Sequence, residues 1–296
     1  PRGNDFISAS YMNDSDYIIR AENYGVPQAR HRVILLGISD ELDQVPGLLM
    51  PSDPVKIEQV LSGLPPLRSR LSKQEDSPSL WQDAVRRQAS RMRPELAANG
   101  LHAVIDVMDR AVSTLHSSAP IRSTNYRGAE GIGRRLPDDL REWLIQDRPD
   151  EITNHETRSH IEADLGRYLF CSSWAEAYLK EDNQIPKASQ FPHCLAPKHA
   201  NWLSGHFSDR FRVQARGRPA TTITSHISKD GHYYIHYDPR QCRSLTVREA
   251  SRIQTFPDNY FFEGNKTQQY VQVGNAVPPF LAYQLAGVVY KIMVGK

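Results

Sequence analysis

The sequence has few of the features that mark disulfide-rich, metal-binding or membrane proteins. It contains only three cysteines, Cys171, Cys194 and Cys242, and no two of them have the Cys-x-x-Cys spacing. Their number and spacing suggest neither a disulfide framework nor a zinc site, and they favour a reducing cytoplasm. No apolar run is long enough to span a bilayer, and the N-terminus lacks the residue order of a secretory signal. We therefore expect no membrane partner.

Net charge is also small, because 36 basic residues are opposed by 34 acidic ones. Bulk charge alone therefore does not indicate a nucleic-acid-binding protein. Arginines nevertheless cluster in two stretches, which contain Arg210, Arg212, Arg216 and Arg218 in one case and Arg122, Arg127, Arg134 and Arg135 in the other. Such clusters can neutralise phosphates. An ordinary solvated surface explains any one cluster equally well.

Two short apolar runs near the start predict β-strands. Residues 17–21 and 32–38 are rich in β-branched side chains and are separated by a Gly-Val-Pro turn. The second run is almost wholly apolar after its arginine, as in a strand covered on both faces. The two runs fit the edge of an α/β sheet whose other strands would precede Pro1.

The long middle of the chain, from about residue 40 to 239, is irregular and interrupted by proline. Helices are predicted at residues 79–92, 137–145 and 164–180. Residues 221–228 and 232–237 alternate around an Asp-Gly pair, which predicts a β-hairpin. The sequence Thr246-Val-Arg-Glu249 predicts a capping box at the start of a helix that stops before Pro257.

The last predicted helix begins at Pro278-Pro279. Apolar side chains recur on one of its faces at Leu281, Leu285, Val288 and Ile292. We therefore expect this helix to dock on another part of the molecule.

Three motifs carry a resemblance to a known family. They are Gly25-Val-Pro-Gln28-Ala-Arg30-His-Arg32-Val33, the segment from Arg243 to Tyr260, and Gln272-Val-Gly274-Asn275-Ala276-Val277-Pro-Pro279. They resemble, in order, the eighth, ninth and tenth sequence blocks of the DNA cytosine-5 methyltransferases. The resemblance covers residues 17–38 and 219–290, about a third of the chain. The earlier blocks of the family are not matched, and Pro1 stands where an initiating methionine would, so we expect a C-terminal part of such an enzyme.

The resemblance implies an α/β fold, namely the C-terminal portion of a doubly wound S-adenosylmethionine-dependent methyltransferase domain plus an irregular target recognition domain. Residues 1–45 would form the edge of the catalytic domain. Residues 46–264 would form the target recognition domain, including the ninth-block helix. Residues 265–296 would return to the catalytic domain.

The family's chemistry, carried over to matching positions, assigns roles to the first motif. In the family a cysteine thiolate adds to C6 of a flipped cytosine, which activates C5 for methylation. Arg32 would then donate to the cytosine O2, Arg30 would approach a DNA phosphate, and Gln28 would lie near the catalytic loop or DNA. The alternative is a pair of surface arginines at the start of a strand.

The other motifs receive roles in the same way. Gly274, Asn275, Ala276 and Val277 would wall part of the S-adenosylmethionine site, although a helix-starting turn capped by Asn275 is also compatible with these residues. Residues 219–224 resemble the threonine-containing element of the recognition domain, so Thr222 and Ile223, with Arg216 and Arg218, would face DNA. The ninth block is expected to be structural through its salt bridges and hydrogen bonds, which would involve Arg243, Arg248, Glu249, Arg252 and Gln254.

The resemblance leaves some parts of a complete enzyme without a candidate residue. None of the cysteines follows a proline, as the family nucleophile does, so we nominate none of them. His155 and His160 are too far apart for a His-Glu-x-x-His site, and we expect no metal. The partners would be double-stranded DNA and the missing N-terminal catalytic half, in the same chain or as a separate subunit. The alternatives are a non-catalytic DNA-binding module and a fragment of an RNA cytosine-5 methyltransferase. Under the preferred reading we expect an inactive isolated chain and a bacterial, DNA-associated protein.

Overall fold

The computed structural model describes residues 13–39, 41–42, 44–126, 136–182, 184–197, 202 and 210–295. Within these ranges, eight α-helices alternate with very short strands and 3-10 turns. The helices are α1 (Ile57–Val60), α2 (Pro78–Ala98), α3 (His102–Ser113), α4 (Asp138–Ile145), α5 (Glu162–Ala177), α6 (Val247–Ile253), α7 (Lys266–Asn275) and α8 (Pro279–Met293). The strands are β1 (Ile19–Arg20), β2 (Gln28–Ala29), β3 (His31–Arg32), β4 (Arg70–Leu71), β5 (Ser159–His160) and β6 (Ala220–Thr221).

The described strands form three separate pairs. β1 is antiparallel to β3, whereas β2 is parallel to β6 and β4 is parallel to β5. The described fold is thus mixed, with small open sheets. The predicted strand at 32–38 ends after Arg32, and the Leu35 side chain is 92% exposed. Within the described residues no segment pairs with residues 33–38, so the predicted strand does not form there, and its coverage by strands that would precede Pro1 stays a prediction.

The larger core is a helical layer formed by α2, α3 and α5. Ser77 caps α2 by accepting a hydrogen bond from the Leu80 amide at 3.1 Å, and Pro78 follows at the first helical position. Trp81 and Met92 of α2 pack with Phe170 of α5 in this core. The predicted helices at 79–92, 137–145 and 164–180 are confirmed with slightly different ends, as α2, α4 and α5.

A second core joins α1, α4, α6 and α7, and it is crossed by buried ion pairs. The predicted capping box is confirmed, since Thr246 Oγ1 accepts from the Glu249 amide at 3.1 Å and Glu249 Oε2 accepts from the Thr246 amide at 2.7 Å. Arg243 donates to both Glu249 oxygens, and Arg252 donates to both Asp258 oxygens. The expectation that the ninth-block residues form a network of salt bridges and hydrogen bonds is therefore confirmed.

The predicted hairpin at 221–237 is wrong. Only Ala220–Thr221 forms a strand, and Ser225–Ser228 is a 3-10 helix. The Arg158 guanidinium donates to the carbonyl oxygens of Ile227, Ser228 and Lys229, which holds the end of this turn. These bonds and the packing of α7 outweigh local alternation, because an isolated two-stranded hairpin is only marginally stable.

Helix α8 docks on the start of the chain, as predicted. Leu281 is buried and packs against Ala21 and Val26. The Gln284 side chain donates to the carbonyl oxygen of Tyr24 at 3.0 Å. The helix therefore fixes the turn that leads into β2 and β3.

Candidate functional site

The first motif meets the threonine-containing 219–224 element along the β2–β6 ladder. The Ala220 amide donates to the carbonyl oxygen of Pro27 at 2.9 Å, and Thr222 Oγ1 donates to the carbonyl oxygen of Ala29 at 2.6 Å. Segments almost two hundred residues apart in sequence are thus held in one parallel pair. The candidate DNA residues at 28–32 and 222–223 are consequently brought together in space, some of them at the surface and some beneath it.

Arg30 is the braced member of the arginine pair. Its side chain is half-buried, and Nη1 donates to the carbonyl oxygen of Ile223 at 3.0 Å. Burial lowers the pKa of Arg30, and the neighbouring charge of Arg32 lowers it further. An anion beside this pair would relieve that repulsion.

Arg32 is exposed, and its Nη1 donates to the neighbouring carbonyl oxygen of His31 at 2.6 Å. Within the described part of the chain, neither Arg30 nor Arg32 has a carboxylate at ion-pair distance. The charge of Arg32 lowers the pKa of Arg30, so the two guanidiniums lie near each other and are available to one polyanion.

Gln28 lies beneath this surface and is fully buried. Its Oε1 accepts from the Ile223 amide at 2.9 Å, and its Nε2 donates to Gln254 Oε1 at 2.5 Å. The Ile223 side chain is also fully buried, in the second core, whereas Thr222 is half-buried. In this conformation Gln28 and Ile223 support the surface from below. Direct contact of either residue with DNA stays a prediction.

The third motif spans the junction between α7 and α8. Gly274 lies inside α7, where an added Cβ would sit 2.3 Å from both the Thr224 carbonyl carbon and the Ser225 nitrogen. Its close approach is therefore to the backbone of the 222–228 segment. Asn275 is the last residue of α7 and Pro278 is the N-cap of α8, so the alternative of Asn275 as a helix N-cap is wrong.

The residues after Gly274 face outward. Asn275 and Val277 are exposed and Ala276 is half-buried. Within the described ranges, no hydrogen bond engages the Asn275 side-chain amide. An exposed amide at a helix end can donate to or accept from a polar ligand.

The remaining arginine candidates lie apart from this junction. Arg216 stacks over the Tyr237 ring at 5.0 Å and lies 3.6 Å from Glu176. It lines a polar cavity of about 230 Å³. Arg218 is half-buried, and its carbonyl oxygen accepts from the Ile57 amide at 3.0 Å. Arg127, Arg134 and Arg135 lie outside the described residues.

The three cysteines are poor nucleophiles. Burial raises the pKa of Cys171 and of Cys242, and it also raises that of Cys194. The thiolate is the reactive form, so each of these environments disfavours attack on a substrate. Among the described residues, no three His, Cys, Asp or Glu side chains are grouped for a metal ion. No helix in the described ranges is long and apolar enough to cross a membrane.

Sequence reasoning missed two side chains that organise the site. The Tyr234 hydroxyl accepts from the Thr224 amide at 3.1 Å and donates to the carbonyl oxygen of Thr222 at 3.2 Å. Arg158, already described at the end of the 3-10 turn, also lies over the Tyr270 ring at 4.0 Å. Neither residue belongs to a local motif, and only their partners distant in sequence reveal these roles.

The family model for C-5 cytosine-specific DNA methylases matches residues 4–291. The chain belongs to this family of transferases.

Similar proteins include bacterial type II methyltransferases. M.Bpa9945I of Bacillus paralicheniformis is 33% identical over 294 residues, which cover 98% of this chain and 53% of that protein. The putative type II methyltransferase M.OihORF3336P of Oceanobacillus iheyensis is 23% identical over 298 residues, which cover 94% of this chain and 61% of that protein. The rice DNA (cytosine-5)-methyltransferase 1A is 40% identical over 97 residues. The chain thus spans little more than half the length of the first two relatives.

Proposed function

We propose that this chain is the C-terminal, DNA-recognising part of an enzyme that methylates C5 of a flipped cytosine in duplex DNA. The observation that carries the proposal is the arginine pair. Arg30 is braced on Ile223, Arg32 is exposed beside it, and neither is neutralised by a described carboxylate. Arg32 donates to the cytosine O2, and Arg30 holds an adjacent phosphate.

Several further residues supply the rest of the DNA-facing surface in this proposal. Thr222, held on Ala29, lies at its centre, with Gln28 and Ile223 beneath. Arg216 and Arg218 extend the positive surface toward the flanking phosphates. The protein acts in the bacterial cytoplasm, where its DNA lies.

The junction at 274–277 fits one wall of an S-adenosylmethionine site. Asn275 presents an unengaged amide, and the exposed Val277 presents an apolar surface beside it. The cofactor would supply the methyl group. Asn275 would hold its polar amino-acid end, Ala276 and Val277 would exclude water beside it, and Gly274 sets the position of the wall through its close approach to Thr224 and Ser225.

The nucleophile comes from outside this chain in the proposed enzyme. All three cysteines have a raised pKa, and two of them are buried. The chain therefore transfers no methyl group alone, and the catalytic half, in the same protein or as a separate subunit, provides the thiolate and the glutamate.

Exposed apolar side chains indicate where that half packs. Leu35, Leu48 and Met50 are 92%, 89% and 80% exposed, and Tyr290 and Met293 of α8 are 65% and 72% exposed. Most of the strongly exposed large apolar side chains in the described residues belong to these two segments, at 33–50 and on α8. Concentrated apolar exposure of this kind marks an interaction surface.

The role of Arg32 is tested by measuring methyl transfer to unmethylated duplex DNA by the full protein that carries this chain. We expect Arg32→Ala to lower kcat by about ten- to a thousandfold, because one preorganised donor is lost. Arg86→Ala, an exposed position on α2, is the matched control and should leave kcat unchanged. An unchanged kcat for Arg32→Ala would refute the assigned role.

The same assay distinguishes duplex DNA from RNA as the substrate, and it tests whether the isolated chain is inactive. The isolated chain should show no turnover, and turnover by a pure preparation would refute the need for an outside nucleophile. Preferred methylation of a tRNA stem-loop over duplex DNA would overturn the assignment of DNA as substrate.

A further inference from the structure

Two buried side-chain amides form a continuous hydrogen-bonded chain beneath the candidate site. The Ile223 amide donates to Gln28 Oε1 at 2.9 Å, and Gln28 Nε2 donates to Gln254 Oε1 at 2.5 Å. Gln254 Nε2 then donates to the carbonyl oxygen of Val273 at 2.7 Å and lies 3.5 Å from that of Ala276. Both glutamine side chains are fully buried.

The backbone groups at the two ends determine the orientation of both amides. The Ile223 amide can only donate, so Gln28 must present its oxygen there. The Val273 carbonyl can only accept, so Gln254 must present its nitrogen there. The remaining nitrogen of Gln28 and oxygen of Gln254 then face each other as donor and acceptor. All three hydrogen bonds point the same way from donor to acceptor, so each polarises and strengthens its neighbours.

These hydrogen bonds connect two backbone segments that the proposed function assigns to different ligands. At one end lies Ile223, whose carbonyl oxygen also accepts from Arg30 on the DNA side. At the other end lie Val273 and Ala276, next to the exposed Asn275 on the cofactor side. Gln254 itself ends the buried α6 turn, so it is anchored independently of both segments.

We propose that Gln254, acting through Gln28, is a positioning residue that couples cofactor binding to DNA binding; this rests on the proposed function. A ligand that orders the 273–276 junction also orders Gln254 and Gln28, and through them the Ile223–Arg30 contact. By thermodynamic reciprocity, each ligand then changes the affinity for the other by the same factor. Loss of either amide leaves buried polar partners unpaired and separates the two segments.

Equilibrium dialysis of S-adenosylhomocysteine against the full protein measures the coupling. The Kd is determined with and without saturating unmethylated plasmid DNA. We expect the DNA to tighten binding by about fivefold or more in the wild type, the lower end of typical coupling. In Gln254→Met and in Gln28→Met, the factor should fall toward one. Gln28→Met removes the other amide of the same hydrogen-bonded series, so it still tests the coupling if Gln254→Met fails to fold.

Gln214→Met is the matched control. Gln214 is also a buried amide, and its Oε1 accepts from the Thr221 amide at 2.9 Å, but it makes no described contact with the 273–276 junction. It should lower stability and keep the wild-type coupling factor. The coupling would be overturned if DNA left the Kd of the wild type unchanged. It would also be overturned if DNA tightened binding as much in both Gln254→Met and Gln28→Met as in the wild type. Failure of the wild type to bind S-adenosylhomocysteine at all would instead contradict the proposed function.

Discussion

Gly274 shows how a residue assigned to a ligand can be required by packing. The resemblance places it at the cofactor wall, and the structure places its missing Cβ 2.3 Å from the backbone of Thr224 and Ser225. Backbone atoms cannot rotate away as a flexible side chain can. The glycine is therefore needed to bring α7 against the 225–228 turn, whatever else it contacts.

We expect Gly274→Ala to destabilise the protein, although alanine ordinarily favours a helix over glycine by about 1 kcal/mol. The added methyl group must push two backbone segments apart, and overpacking of this kind costs about 1–3 kcal/mol or more. Thermal or urea unfolding of the full protein measures the difference. Thr267→Ala, at an exposed position of the same helix, should change stability by only a few tenths of a kcal/mol. A Gly274→Ala protein as stable as the wild type would show that the helix and the turn can separate without cost.

The sequence motifs nominated candidate site residues, but they did not predict the environments of those residues. The family resemblance nominated Arg30 and Arg32 from a single short string. Gln28 was found in the same string, but its burial depends on Gln254, 226 positions away. No local pattern reports a partner at that separation, so the hydrogen-bonded chain could be seen only in three dimensions.

At the scale of single elements, α6 combines an apolar face, formed by Val247, Ala250 and Ile253, with buried ion pairs. Every residue from Val247 to Ile253 is buried. Burial alone would raise the pKa of Glu249, but the charge and hydrogen bonds of Arg243 lower it below the ordinary 4.5. Glu249 therefore stabilises the fold above about pH 4.5, and this contribution is lost as the pH falls below that value.

Glu249→Gln should lower the free energy of unfolding by about 3–5 kcal/mol at pH 7. The substitution keeps the shape of the side chain but leaves the Arg243 guanidinium buried without its counter-charge. Urea unfolding of the full protein is the measurement.

The exposed pair between Arg93 and Asp109 supplies the comparison for Glu249→Gln, since both its side chains are about half exposed. Asp109→Asn makes the same chemical change in a solvated pair and should cost less than about 1 kcal/mol. Equal losses for the two variants would mean that burial adds nothing to the α6 pair.

Elements with their own local signals were the ones predicted well. The capping box at Thr246 and the serine-proline start of α2 specify helix ends within a few residues, and both helices form. The strand at 33–38 and the hairpin at 221–237 needed partners beyond their own residues. Whether such segments form strands depends on neighbouring strands and on packing against other parts of the molecule. The alternation and apolarity of their own residues therefore gave the wrong secondary structure.

At the scale of the whole molecule, three buried histidines make stability depend on pH. Burial lowers the pKa of His155 from 6.5 to about 4, and it lowers the pKa of His160 and of His236 to about 3. Burial keeps His155 neutral, although the hydrogen bond between its Nε2 and the carbonyl oxygen of Pro65 acts in the opposite direction. The histidines belong to the surroundings of both cores, so their protonation would strain more than one element.

The sign follows from which state binds more protons. Below pH 6.5 the unfolded chain protonates these histidines while the folded protein does not, so stability is full above that pH and falls as the pH drops toward the folded values. Each histidine contributes a slope that approaches about 1.4 kcal/mol per pH unit near pH 5.

Urea unfolding of the full protein at pH 5, 6 and 7 should therefore show stability rising with pH. His155→Gln should reduce the slope of the free energy of unfolding against pH by up to the contribution of one bound proton. His102→Gln, at an exposed position of α3, should not reduce it. Identical slopes for His155→Gln and the wild type would mean that His155 titrates alike in the folded and unfolded states, which its burial argues against.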